Sequence, residues 1–239
     1  MSQQHTVVVG GSSGVGLATA ARLMKTGHAV TIAGRDAQRL DEAAKRLGGK
    51  ARAVSLDAAD PASAKAAFAA IGVFDHLVLA LGGNVGMGPF ATISLADARR
   101  PFEDKVFPHI ATAQAALPFL AKDGSLTFVS AVSAHAAMPG SAALGAANAA
   151  IAALGPILAV ELKPLRVNVV SPGVIDTPWW RFAADDAKAG LFADFAAKTP
   201  VGRVGTADEV ADAIAFVVGN RFMTGATIIC DGGVRLGVG

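Results

Sequence analysis

His5-Thr6-Val7-Val8-Val9-Gly10-Gly11-Ser12-Ser13-Gly14-Val15-Gly16 is the stretch that decides the fold. Residues 5–10 are a short apolar run rich in β-branched valine, which predicts a buried strand. Glycines follow at 10, 14 and 16, and a helical pattern begins behind them. Each glycine has a mechanical purpose in a nucleotide site. Gly10 allows the tight turn, Gly14 lets backbone N–H groups approach a pyrophosphate, and Gly16 permits close helix–strand contact. A bare glycine cluster could be only a flexible turn. Its position between a strand and a helix points to nucleotide binding.

Working outward, strands are predicted at 28–33, 51–56, 74–81, 126–132, 166–170 and 227–230, six besides the first. Helical patterns lie between them at 37–47, 61–71, up to about 121, 141–162 and 208–218. This alternation predicts an α/β, Rossmann-type, doubly wound parallel sheet of about seven strands with helices on both faces. No repeat, linker or composition break divides the chain, so residues 1–239 read as one nucleotide-binding domain. The Ala-rich stretch 141–162 suits close packing and also a subunit interface.

Apolar residues make up 52% and charged residues 17% of the chain, a balance that argues against disorder. A formal net charge of +2, with scattered lysines and arginines, gives no basis for a nucleic-acid or membrane partner. Apolar stretches read as broken before membrane-spanning length. The single cysteine, Cys230, cannot form an internal disulfide, and the N-terminus shows no signal-peptide pattern. A cytoplasmic setting is the expectation. No metal-ligand spacing is found. Tyrosine is absent altogether.

Gly-x-x-x-Gly-x-Gly at the first strand–helix turn resembles the short-chain dehydrogenase/reductase family, and the resemblance runs nearly end to end. Asp57 matches the family's adenine-contacting Asp, and Gly82 its Asn-Asn-Ala-Gly segment, of which only the last glycine is kept. Arg166-Val167-Asn168-Val169-Val170-Ser171-Pro172-Gly173, with Ile175 and Thr177-Pro178 behind it, is similar to the family's nicotinamide loop. Gly202-Arg203, Glu209-Val210-Ala211 and Asp231-Gly232-Gly233 match its C-terminal signature. The resemblance implies a cofactor site of Gly10, Ser12, Ser13, Gly14, Val15, Gly16, Arg35, Asp57, Gly82, Pro172, Gly173, Ile175 and Thr177. It also implies a homodimer or homotetramer.

The choice of dinucleotide follows from charge. A carboxylate at the end of the second strand would bond a ribose 2′-hydroxyl and repel a 2′-phosphate, which suits a guanidinium. Here Gly34 takes the acidic position and Arg35 follows, while Asp36 reads as a helix N-cap. NADP(H) is therefore the expected cofactor.

The family's proton chemistry uses a Tyr four residues before a Lys, with a Ser and a relay Asn. An unperturbed phenol, near pKa 10, needs that ammonium to work at neutral pH. By alignment these positions hold Leu144, Asn148, Ala131 and Lys105, and no register shift can recover a tyrosine. Lys105 and Asn148 are reciprocally exchanged relative to the family. If they face each other, an ammonium stays near the site; otherwise Lys105 is a surface residue of an amphipathic helix. Ser133, two residues beyond Ala131, would share its face if the strand continued. His135 follows, and can titrate near neutrality unaided. Lys105, Ser133, His135 and Asn148 are the candidate catalytic residues.

Pro178-Trp179-Trp180-Arg181-Phe182, with Leu191, Phe192 and Phe195, falls in a substrate lid expected around residues 176–200. Its apolar character suits a small apolar substrate. Three function classes stand: an NADP(H)-dependent oxidoreductase acting on a carbonyl/alcohol pair by a nonstandard proton relay, a catalytically inactive NADP(H)-binding sensor, partner or scaffold, and, behind both, a non-redox elimination or isomerisation in the same pocket.

Overall fold

The computed structural model describes residues 3–83 and 85–237. The first half runs β1 (His5–Val9), α1 (Gly14–Lys25), β2 (Ala29–Gly34), α2 (Ala37–Arg46), β3 (Arg52–Ser55), α3 (Pro61–Ile71) and β4 (Phe74–Leu79). Then come α4 (Leu95–Pro101), a π-helical turn (Phe102–Val106) and α5 (Phe107–Ala116). A short 3-10 turn (Leu117–Phe119) leads into β5 (Leu120–Val129), a second one (Val132–Ala134) follows, and α6 (Ala142–Glu161) and β6 (Arg166–Pro172) come next. The last part holds β7 (Ile175–Asp176), a 3-10 segment (Pro178–Phe182), α7 (Asp185–Lys198), β8 (Gly205–Thr206), α8 (Ala207–Gly219), β9 (Thr227–Cys230) and α9 (Val234–Gly237).

Seven strands form one parallel sheet in the order β3-β2-β1-β4-β5-β6-β9, and β7 and β8 pair separately. Alternation along the strands sorts the core into two layers. Val7, Val9, Leu77, Leu79, Leu126 and Phe128 face α3, α5 and α6. Val8, Ile32, Val78, Val129 and Val170 face α1, α2 and α8. Strand order reverses between β1 and β4, which opens a crevice at their carboxyl ends.

Local chemistry sets the element ends. Asp36 caps α2 by accepting from the Arg39 N–H at 3.1 Å, as its sequence position predicts. Pro108 has no N–H to offer the preceding turn, and the chain widens there: the Phe107 N–H reaches back five residues to the Phe102 carbonyl. Arg166, 8% exposed, donates to the carbonyls of Val217, Val218, Asn220 and Met223 and so closes the C-terminal end of α8.

At the amino ends of the strands sit three histidines. His5 Nε2 meets Thr31 Oγ1 at 2.8 Å, His28 Nδ1 meets Thr6 Oγ1 at 2.9 Å, and His76 Nδ1 meets Ser125 Oγ at 2.9 Å. The His76 Nε2 atom is buried without a partner. Burial lowers the pKa of all three, that of His76 to about 4.

Three sequence expectations need correction. The fifth strand ends at Val129 rather than Val132, because the chain turns into the 3-10 segment there. Ser133 therefore lies beyond the sheet. The lid carries a 14-residue helix, α7, whose weak apolar patterning concealed it. Finally, α6 is long and apolar enough to cross a membrane by length and composition. Its buried residues Ala147, Ile151 and Gly155 rest on the sheet, and a Cβ at Gly155 would lie 2.7 Å from Val169 Cγ2.

Candidate active site

The glycine-rich turn leaves β1 at the crevice. Gly10 has φ +83°, and a Cβ there would lie 2.4 Å from the Ala80 carbonyl oxygen. A Cβ at Gly16 would lie 2.2 Å from the Gly10 carbonyl oxygen, so α1 can approach β1 this closely only through glycine. Ser13 is the N-cap of α1, yet its hydroxyl makes no cap bond. It accepts instead from Arg39 Nη2 at 3.1 Å. The first-turn N–H groups of α1 are thus left without side-chain partners.

The other residues singled out from the sequence line the same edge of the sheet. Ser12 Oγ lies 3.8 Å from where a Gly34 Cβ would be, and Arg35 follows it, exposed, at the end of β2. Asp57, behind β3, accepts from the Ala59 N–H at 3.0 Å and holds its turn. Gly82, behind β4, faces Trp179. Pro172 and Gly173 end β6, with the Gly173 N–H bonded to the Cys230 carbonyl at 2.9 Å. Ile175 is buried in β7, and Thr177 lies against Gly14 across the crevice. Val15 opens α1, half-buried beside this contact.

The reciprocal pair is in contact. Lys105 Nζ donates to Asn148 Oδ1 at 2.6 Å and to the Ser130 carbonyl at 3.2 Å. Asn148 Nδ2 donates to Ser133 Oγ at 3.0 Å and to the Leu144 carbonyl at 3.0 Å. Ser130 Oγ donates to the Asn148 carbonyl at 2.7 Å, which ties β5 to α6. Lys105 is 6% exposed and Asn148 1%, while Ser133 is half-buried at the open end of the chain of bonds. The surface reading of Lys105 is overturned: it lies on the buried side of the helix with Pro101 and His109. Burial lowers its pKa to about 8.

His109 lies wholly buried beneath Lys105. Its Nδ1 is 2.7 Å from the Lys105 carbonyl and its Nε2 is 3.3 Å from that of Leu79. Burial and then the Lys105 charge lower its pKa to about 3, so the ring is neutral. A neutral ring carries one hydrogen, and the shorter contact assigns it to Nδ1. His109 thereby braces the turn that carries Lys105.

His135 stands apart from this chain of bonds. It is exposed, its Nε2 lies 3.1 Å from Ser171 Oγ, and partial burial followed by the Arg235 charge lowers its pKa. Thr177 and Trp179, from the segment after β7, reach the crevice at Gly14 and Gly82. Trp179 Nε1 donates to the Gly83 carbonyl at 3.0 Å and Trp180 Nε1 to the Ile175 carbonyl at 2.9 Å. Phe182, Phe192 and Phe195 pack edge-on or tilted around the two indoles.

Residues 9–235 match the family described as enoyl-(acyl carrier protein) reductase. An uncharacterized oxidoreductase of Methylorubrum extorquens is 37% identical, with 96% of each chain covered. The cis-4-hydroxycyclohexanecarboxylate dehydrogenase of Sinomonas cyclohexanicum is 33% identical over 97% of this chain and 96% of its own. A solved small-chain dehydrogenase in complex with NADPH superposes with a TM-score of 0.86 at 30% identity, covering 99% of this chain and 100% of the other.

Proposed function

The chain belongs to the short-chain dehydrogenase/reductase family and is an oxidoreductase of that type; from that premise we propose that it uses NADP(H) on a carbonyl/alcohol pair without a phenolic acid. The observation that carries this reading is the 2.6 Å contact between Lys105 and Asn148. Tyrosine is absent from the chain, and the reciprocal exchange keeps an ammonium at the site from the opposite helix.

The residues present fit a dinucleotide. Gly10 and Gly16 let the turn and α1 lie against the sheet where a Cβ would collide with backbone oxygens, and the uncapped N–H groups of α1 suit a pyrophosphate. Gly34 and Arg35 replace the carboxylate that would repel a 2′-phosphate. Pro172, Gly173, Ile175 and Thr177 would hold the nicotinamide half, with Asp57 beside the adenine and Gly82 beneath the bridge. When bound, the cofactor supplies or accepts the hydride.

Charge that develops on a carbonyl oxygen must be met by a donor and then by a proton. Ser133 accepts from Asn148 with its oxygen, so its own hydrogen is available to the substrate. Lys105 polarises the Asn148 amide at Oδ1, which strengthens Nδ2 as a donor and Ser133 in turn. Lys105 is thus a positioning and charge-supplying group rather than one that touches substrate. The proton itself comes from His135 or water at the exposed end. The aromatic lid favours a small apolar substrate. Exposed Leu95, Phe107, Ile157 and Val160 support a homodimer or homotetramer, and the free Cys230 thiol suits a cytoplasmic setting.

The test is NADPH oxidation across a panel of aldehydes and ketones, with pH profiles. Wild-type rate falls as pH rises through about 8, where Lys105 loses its proton. Lys105→Met lowers kcat about a hundredfold at neutral pH and flattens that limb, whereas Lys105→Arg keeps part of the rate with no limb below pH 10. His135→Ala reports proton supply separately. Tight NADPH binding without turnover on any substrate would overturn the reading in favour of a sensor.

A further inference from the structure

We propose that Arg39, on α2, is a second guanidinium for the cofactor's 2′-phosphate and determines dinucleotide specificity together with Arg35. The inference rests on the NADP(H) reading and adds a residue to it from a different element. Arg39 Nη2 donates to Ser13 Oγ at 3.1 Å, across the gap between α2 and the glycine-rich turn. Ser13 is the residue that would ordinarily cap α1, and its hydroxyl makes no cap bond. The guanidinium therefore reaches the rim of the crevice, and the Ser13 hydrogen remains free to donate.

The local charges favour an anion there. Asp36, next to Arg35 in sequence, accepts from the backbone N–H of Arg39 as a helix cap. The ion pairs among the described residues join Arg22 to Asp212, Lys188 to Asp176, Arg203 to Glu209 and Arg235 to Asp231. Neither Arg35 nor Arg39 takes part in one. Ser12 Oγ borders Gly34, the position where a carboxylate would exclude a phosphate. Arg39, held on Ser13, and Ser12 beside Gly34 thus bring a guanidinium and two serine hydroxyls to the carboxyl ends of β1 and β2, where Arg35 follows in sequence. Arg35 is exposed, while Arg39 is half-buried and held in place by Ser13. A planar fork fixed before the ligand arrives loses less freedom on binding.

Calorimetric titration with NADPH and NADH tests this on wild type, Arg39→Ala, Arg39→Lys and Arg35→Ala. Arg39→Ala is expected to weaken NADPH about tenfold or more and to leave NADH within about twofold. Arg39→Lys is expected to recover part of the loss, because charge remains without the fork. An unchanged NADH affinity shows that the crevice is intact, so misfolding cannot imitate the result. If Arg39→Ala weakens both dinucleotides alike, or neither, while Arg35→Ala removes the preference, the assignment of Arg39 fails and the NADP(H) reading stands. If wild type binds NADH as tightly as NADPH, both fail.

Discussion

Among single residues, Lys105 carries the largest conflict between stability and function. An ammonium held in a dry interior costs stability unless its partners are well placed, and its pKa of about 8 records that cost. Replacing only one member of the pair strands the other. Replacing both removes the buried charge but leaves the Ser130 carbonyl without its Lys105 donor, so Lys105→Met/Asn148→Leu is expected to stay within about 5 °C of wild type in thermal midpoint while losing turnover. A midpoint lowered by more than about 5 °C in a thermal scan would contradict this. The family resemblance implied the exchange of Lys105 and Asn148 and left their contact open, and the helix pattern could not decide it. The buried side of that helix carries Lys105, His109 and Thr112, and three polar side chains conceal an inward face from any apolar periodicity. Arg39 was missed for a related reason: on a charged amphipathic helix, one arginine reads like its solvated neighbours.

For elements, the strand–helix alternation was readable because parallel strands covered on both faces are continuous apolar runs. Within residues 176–200, α7 was not foreseen, since 14 residues with no buried member have no face to announce. The end of β5 was missed because Val132 prolongs an apolar run while the backbone already turns. Helix α8 depends on one side chain from the neighbouring strand. Arg166→Ala would leave the carbonyls of Val217 and Val218 without this buried donor, while those of Asn220 and Met223 keep the Met223 N–H and Asn168 Nδ2. The expected loss is on the order of 3 kcal/mol, read from urea unfolding. Because the released helix end lies away from the crevice, NADPH affinity of the folded fraction should hold.

For the whole molecule, acid stability follows from histidines buried in neutral form. Their folded pKa values lie below the unfolded value of 6.5, at about 4 for His76 and about 3 for His109. Between those limits the unfolded chain binds more protons than the native one, so stability falls as pH drops from 6.5 toward 4 and 3. The loss between pH 7 and pH 5 is about 2 kcal/mol for each of these two histidines. Urea midpoints at the two pH values measure it, and His76→Gln should remove its share of about 2 kcal/mol. His5, His28 and His76 occupy the amino ends of the strands, the pole opposite the crevice. The two wings of a bell-shaped rate profile therefore carry different information. The acid wing counts how many molecules are still assembled, the alkaline wing how many still hold their cation, and a stabilising additive should move the first without touching the second.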